Sequence, residues 1–417
     1  MERLLVTNIG VLATPLGSSA QGGEAQGAVR MMKNAWVLID KGAIIGVGNG
    51  RLPQNVDGID LRTVETIDAQ GSLVTPGLVD AHTHLIFGGW RQNELALKLR
   101  GVPYLDILAQ GGGILSTVRA TRAASQEELA DKARLALDEM LALGTTTCEA
   151  KSGYGLDTET ELRQLRAIRA LDQTHPIDLV PTFLGAHALP EAYKNDRAGY
   201  IRLLCGEMIP AAAAEGLAEF CDVFCETGVF TAEESRAILE AGKKYGLRPK
   251  IHADEIDPIG GSRLAGEIGA VSAEHLIVCP EEGITAMAAG GTAACLLPCT
   301  SFYLGAAYAP ARRMVEAGVP VAMATDFNPG SCPCLNMQLV MSLGCLKYRL
   351  TPEEVLTAVT LNGAAAIGRA DRTGSVEPGK WGDLVIWEAE DLNYICYRLG
   401  GNLARTVIKK GVPYGKE

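Results

Sequence analysis

Between residues 78 and 326 the chain repeats a single pattern: a short apolar run, followed in most cases by a longer stretch with helical spacing. Eight such runs can be marked, at 78–82, 145–150, 178–186, 221–226, 249–253, 270–276, 292–298 and 319–326. Between them, Leu129, Ala133, Leu137, Met140 and Leu141 recur at a spacing that gives a helix one buried face. Ser125 with Glu128, Thr231 with Glu234, and Thr351 with Glu354 are capping-box starts, the last with Pro352 at the first helical position. Strand–helix alternation of this kind builds a parallel sheet, either open and doubly wound or closed into a barrel. Eight units over about 290 residues fit the closed form. No G-x-G-x-x-G loop is present to favour a dinucleotide-binding open sheet. The expected fold class is α/β, a (β/α)8 TIM-like barrel, with a small β domain formed by the N- and C-terminal segments.

That β domain is read from the flanks. Residues 35–39 and 43–47 are apolar runs on either side of Asp40-Lys41-Gly42, a hairpin signal. Residues 17–27 form a Gly/Ser/Ala/Gln loop, expected to be mobile. After residue 372 the chain returns to strands, at 383–387 and 406–408. The expected organisation is a discontinuous β-sandwich-like domain from 1–76 and 372–417, around a barrel hydrolase domain at 77–371.

Composition narrows the function classes. The 417 residues are 47% hydrophobic and 21% charged, ordinary for a globular protein, and the net charge of -11 argues against a nucleic-acid surface. Lys409-Lys410 reads as a solvated strand end rather than a basic patch. Met1-Glu2-Arg3-Leu4 opens no secretory signal, and no apolar run approaches the ~18 residues of a membrane span. Eleven cysteines lie scattered without a framework, as reduced thiols do, and Cys332-Pro333-Cys334 reads as part of a tight loop. A cytoplasmic location is expected, with no nucleic-acid or membrane partner.

The chemistry-bearing residues fall at strand ends. In Leu78-Val79-Asp80-Ala81-His82-Thr83-His84 an apolar run delivers two imidazoles at i and i+2, which share one face of a strand. Glu149 and Lys151 end the second run, His187 the third and Glu226 the fourth. His252 ends the fifth with Glu255 just beyond, His275 the sixth, and Asp326 the eighth with Asn328 following. Barrel active sites lie at the C-terminal ends of the strands, so five of the six histidines would converge on one mouth. The sixth, His175, falls between elements and reads as a surface residue.

Three nitrogens from His82, His84 and His252 with one carboxylate from Asp326 suit Zn²⁺ or a first-row relative such as Fe or Mn. Such an ion lowers the pKa of water and polarises a carbonyl. Asp326 can ligate through one oxygen and hold a proton of the water through the other. Glu255 is placed to act as general base or to bind a ring N–H; His275 is placed to donate to an oxyanion or to carry a proton. Glu226 and Lys151 are the positions for a second metal, through a carboxylate or a carbamylated lysine, with a structural ion pair as the alternative; one metal is expected. Arg91 offers a planar fork to a carboxylate, or a partner to Glu94.

The strand-end set resembles the amidohydrolase superfamily. Asp80-Ala81-His82-Thr83-His84-Leu85, Gly88-Gly89-Trp90-Arg91, Gly111-Gly112-Gly113-Ile114, Lys151-Ser152-Gly153-Tyr154-Gly155-Leu156, Phe183-Leu184-Gly185-Ala186-His187, His252-Ala253-Asp254-Glu255 and Thr325-Asp326-Phe327-Asn328-Pro329-Gly330-Ser331 narrow the resemblance to the imidazolonepropionase family. The similarity runs from the first barrel strand to the last and includes the flanking β pieces. It implies a hydrolase of cyclic amides in histidine degradation, which opens 4-imidazolone-5-propanoate with a metal-activated water to give N-formimidoyl-L-glutamate. It implies one Zn or Fe ion per chain on His82, His84, His252 and Asp326. The substrate contacts it carries over are Arg91, Tyr154, His187, Glu255, Asn328, Gly330 and Ser331, with Tyr104 as a further candidate. Glu255, His275 and Asp326 are the implied proton-handling residues, and a homodimer is the implied assembly. Two rivals stay open on the residues alone: another amidohydrolase, such as a nucleobase deaminase or a different cyclic-amide hydrolase, and a non-catalytic barrel that binds metal or ligand without turnover.

Overall fold

The protein was analysed as a computed structural model, which describes residues 3–102, 106 and 111–415. Two large sheets carry the fold, one from the flanks and one from the strand–helix alternation. The first is built from both ends of the chain. β1 (Arg3–Thr14), β2 (Arg30–Asp40) and β3 (Ala43–Asn49) form an antiparallel meander, and the Asp40-Lys41-Gly42 hairpin turns with Lys41 and Gly42 at positive φ. β4 (Glu65–Asp68) and β5 (Leu73–Pro76) lie parallel to β1.

The second sheet is the barrel. Its strands are β6 (Leu78–Asp80), β7 (Thr145–Lys151), β8 (Asp178–Ala186), β9 (Phe220–Cys225), β10 (Arg248–Ala253), β11 (Ser272–His275), β12 (Ala293–Leu296) and β13 (Val321–Met323). Each pairs in parallel with the next in chain order. The chain then returns to the first sheet as β14 (Leu384–Trp387), β15 (Ala404–Lys409) and β16 (Val412–Gly415), with β14 antiparallel to β5.

The barrel is closed by the residues that follow its first and last strands. The Asp326 N–H donates to the His82 carbonyl at 3.0 Å, and the His84 N–H to the Phe327 carbonyl at 2.9 Å. The ladder at these strands ends earlier than the apolar runs suggest, at Asp80 and Met323, because the backbone turns there to bring side chains over the mouth. Asp326 and His275 sit at φ +57° and +68°, a left-handed conformation uncommon for residues with a side chain and concentrated at functional sites.

The helices pack outside. All three capping boxes form, each with its reciprocal pair of hydrogen bonds, and the helix Gln126–Ala142 buries Leu129, Ala133, Leu137, Met140 and Leu141. Among the described residues no helix is long and apolar enough to cross a membrane.

Three sequence expectations need correction. Lys409 is not solvated: it is buried, its ammonium 2.6 Å from Asp178 and 2.7 Å from Asp383, because the sheet packs this strand end against the barrel. His175 is not a surface residue. Its ring is buried, with Nδ1 accepting the Ile177 N–H at 3.1 Å and Nε2 3.3 Å from Asp138. The 17–27 loop is anchored rather than free, since buried Gln26 brackets the Val321 backbone, accepting its N–H at 2.9 Å and donating to its carbonyl at 3.1 Å.

Candidate active site

The strand ends deliver their side chains to one cavity of about 1030 Å³. His84, His252, Asp326, Glu255 and His275 line it together with Arg91, Tyr154, His187, Asn328, Gly330 and Ser331. His82 lies buried directly beneath, its ring centroid 4.6 Å from that of His252. One nitrogen from each of His82, His84 and His252 falls within 4.8 Å of the others. The Nε2 atoms of His82 and His84 lie 3.5 and 3.4 Å from Asp326 Oδ1.

These atoms have the signature of a cation site. Both ring nitrogens of His82 and Asp326 Oδ1 are buried without a hydrogen-bond partner. Buried polar atoms are normally paired, so the unpaired His82 Nε2 and Asp326 Oδ1, 3.5 Å apart beside the other two histidines, fit a metal ion there. Burial and the neighbouring cations hold His82 and His84 well below the ordinary imidazole range, in the neutral form that ligation requires. Asp326 is engaged on its other side, where the Thr300 hydroxyl donates to Oδ2 at 2.6 Å. One oxygen is thereby tied to the protein and the other left toward the histidines.

The remaining titratable groups surround this point. Burial and the nearby Asp326 carboxylate push Glu255 up to about 8. Its Oε2 lies 3.7 Å from His275 Nε2, and burial holds that imidazole neutral. His187 stacks on His84 with ring centroids 4.8 Å apart. Its Nδ1 is 2.9 Å from the Gly153 carbonyl, which can only accept. Nδ1 therefore carries the proton, and burial keeps the ring neutral, down to about 3, so Nε2 is an acceptor. The turn behind it is held by Glu161, which accepts the N–H groups of Gly153, Gly155 and Leu156, each at 2.8 Å.

The loop after Asp326 folds around Asn328. Its Oδ1 accepts the N–H groups of Gly330 and Ser331 at 2.9 and 2.7 Å, and its Nδ2 donates to the Asp326 carbonyl at 2.7 Å. The Arg91 guanidinium lies on Gly330: a Cβ there would fall 1.1 Å from an Arg91 nitrogen, so any side chain at this position would push the guanidinium aside. Arg91 Nε is buried and unpartnered. Glu94 pairs instead with Lys98, at 3.7 Å, and Lys98 donates to the Gly330 carbonyl at 3.0 Å.

Glu226 and Lys151 are occupied elsewhere. Glu226 accepts backbone N–H groups from Thr227, Ile256 and Asp257 at 2.8, 2.8 and 3.1 Å. The Lys151 ammonium sits 2.8 Å from Asp222 and 2.9 Å from Glu149. Burial opposes its charge, but these carboxylates outweigh burial and hold it above the ordinary lysine range, whereas a carbamate needs a neutral amine. Tyr104 lies outside the described residues. Sequence reasoning missed Lys98, Thr300 and Asp222. The Glu94–Lys98 i,i+4 spacing was a usable signal for the first; the other two act across strands and left none.

A model of the amidohydrolase family matches residues 73–412. The chain is 53% identical over 413 residues to the imidazolonepropionase of Alkaliphilus metalliredigens (strain QYMF), covering 99% of this chain and 97% of that protein. It is 51% identical to the imidazolonepropionase of Streptococcus sanguinis (strain SK36), over 93% of this chain and 92% of that one. Among solved structures, Escherichia coli guanine deaminase superposes with a TM-score of 0.73 at 16% identity, each chain covered completely. A zinc-bound adenosine deaminase from Xanthomonas campestris gives 0.71 at 21% identity, over 98% of this chain and 92% of that one. At such identities these two speak for the fold alone. The chain belongs to the amidohydrolase family and, within it, to the imidazolonepropionases, hydrolases of carbon–nitrogen bonds in cyclic amides.

Proposed function

We propose that this site opens the ring of 4-imidazolone-5-propanoate with water, giving N-formimidoyl-L-glutamate, on a single Zn or Fe ion held by His82, His84, His252 and Asp326. The observation that carries the reading is the meeting of unpaired buried donors beside a guanidinium at the barrel mouth. When bound, the ion supplies Lewis acidity, which lowers the pKa of water and polarises the ring carbonyl. The chain's own residues do the rest. Arg91, lying on Gly330, pairs with the propanoate tail, with Tyr154 and Ser331 beside it. The His187 Nε2 accepts a ring N–H. Glu255 takes a proton from the attacking water, a role suited to a carboxyl lifted toward neutrality. His275 hydrogen-bonds the carbonyl oxygen as it gains charge. Asp326 takes the remaining proton of that water as the carboxylate product forms and passes it to the departing ring nitrogen, while Thr300 holds its other oxygen still. Asn328 folds the loop that presents Gly330 and Ser331. Residues 77–371 carry this chemistry, residues 1–76 and 372–417 form one β unit, and a homodimer is the expected assembly, which sedimentation velocity checks.

The test is an assay with imidazolone propanoate. Its ultraviolet absorbance should fall without release of ammonia. Chelation should stop the reaction, and one equivalent of Zn or Fe should restore it. Direct ammonia release, or full activity in protein proven metal-free, overturns the reading.

A further inference from the structure

A cluster of charges lies inside the barrel beneath the mouth, where such folds normally pack apolar layers. Glu149, Lys151, Asp222, Lys250 and Glu274 are all fully buried. One member reaches the active site: both Asp222 oxygens approach His252 Nδ1, at 3.0 and 3.1 Å.

We infer that Asp222 is the positioning residue for the His252 ligand, fixing its tautomer and ring orientation, with Lys151 as the cation that holds Asp222 in place. The inference rests on the proposed role of His252 as a metal ligand. A carboxylate can only accept, so the nitrogen facing it carries the proton. The His252 proton therefore sits on Nδ1, and the lone pair on Nε2, which lies 3.4 Å from His84 Nε2. Besides facing His252, Asp222 is held from two sides. Lys151 donates to Oδ2 at 2.8 Å, the Val223 N–H donates to Oδ1 at 2.7 Å, and the Lys151 ammonium is itself tethered to Glu149. His82 and the Nδ1 of His84 have no comparable partner. Among the described residues, His252 is thus the member of the three whose second nitrogen is held by a carboxylate.

The arrangement also explains the single ion. Asp222, His252 and Glu274 group closely enough to hold a second cation. That need is met internally, by Lys151 on Asp222 and by Lys250 on Glu274 at 3.4 Å.

The variant that isolates the effect is Asp222→Asn. Both oxygens of Asp222 face a donor, and the charged Lys151 is the one that most needs an acceptor, so the new amide keeps its oxygen on the lysine and turns its NH₂ to His252 Nδ1, giving up the Val223 N–H. The ring proton is then forced onto Nε2, where it blocks ligation. Zinc affinity is read by chelator competition on the full chain, and the ring tautomer by nitrogen NMR with labelled histidine, which gives six rings to resolve. The expected outcome is a rise in the zinc dissociation constant of about ten- to a hundred-fold, as for other partners of metal-ligating histidines, with loss of the Nδ1-protonated signal. The control Thr182→Val removes a hydroxyl that donates to Glu149 in the same cluster. It should lower thermal stability and leave zinc affinity unchanged. Unchanged affinity in Asp222→Asn, or equal loss in the control, overturns the inference while parent zinc binding stands. If His252→Ala binds zinc as tightly as the parent, the ligand reading fails and the inference falls with it.

Discussion

Gly330 shows how little space the Arg91 end of the cavity leaves. Its missing side chain is what lets Arg91 lie where it does. Gly330→Ala should displace the guanidinium and raise KM at least ten-fold with a smaller effect on kcat, since the tail contact serves binding; steady-state kinetics with a tail-bearing substrate measures the split. Glu255 allows a different check, on stability. Its carboxyl titrates near 4.5 when unfolded and at about 8 in the metal-free fold. The folded state therefore favours the protonated form. The group costs nothing below about pH 4.5; the penalty builds between about pH 4.5 and 8, where only the unfolded state has ionised, and is complete above about 8. Metal-free Glu255→Gln should melt above the parent at alkaline pH, with the gap closing on acidification. In the metal-loaded enzyme the same change should cost on the order of 10²–10⁴ in kcat. Calorimetry across pH and single-substrate kinetics read the two effects separately.

At the scale of elements, the least regular piece near the N-terminus contributes more than its composition suggests. Gln26 is the acceptor for the Val321 N–H in the last barrel strand, whereas the Val321 carbonyl keeps a second donor in Asn362. Gln26→Leu should therefore cost about 1–3 kcal/mol, the price of one stranded buried N–H, measurable as a lower unfolding midpoint with activity per folded molecule retained. This loop marks where sequence reasoning ran out. The Gly/Ser/Ala/Gln run looked uncommitted because nothing local to it binds; its partners lie some three hundred residues away. The barrel strands were legible because each carries its own apolar signal, and His82, His84, His252 and Asp326 because strand ends in such a fold share one mouth. The exact ends were not. The ladder stops at Met323 because left-handed backbone at Asp326 re-aims the carboxylate, and no residue pattern marks that turn. Asp222 and Thr300 were hidden for the same reason as Gln26: each is defined by a neighbour from another element of the fold.

Across the whole molecule, the flanking sheet and the barrel are joined by a buried ion cluster. Lys409 from the sheet reaches Asp178 at the start of a barrel strand as well as Asp383. Lys409→Met should strand the Asp383 carboxylate and destabilise the protein by about 3 kcal/mol. Chemical denaturation measures the loss, and the spacing of the ligands, far from this contact, should leave metal affinity intact.

The seam between the first and last barrel strands has a wider consequence. The peptide groups that fasten it belong to His82, His84, Asp326 and Phe327, so fastening and the proposed coordination share the same few residues. Parting the wall at this buckle would scatter the ligands, and an ion seated among them latches the wall shut. On the proposed ligand set, loading the metal and completing the cylinder would be two views of one equilibrium.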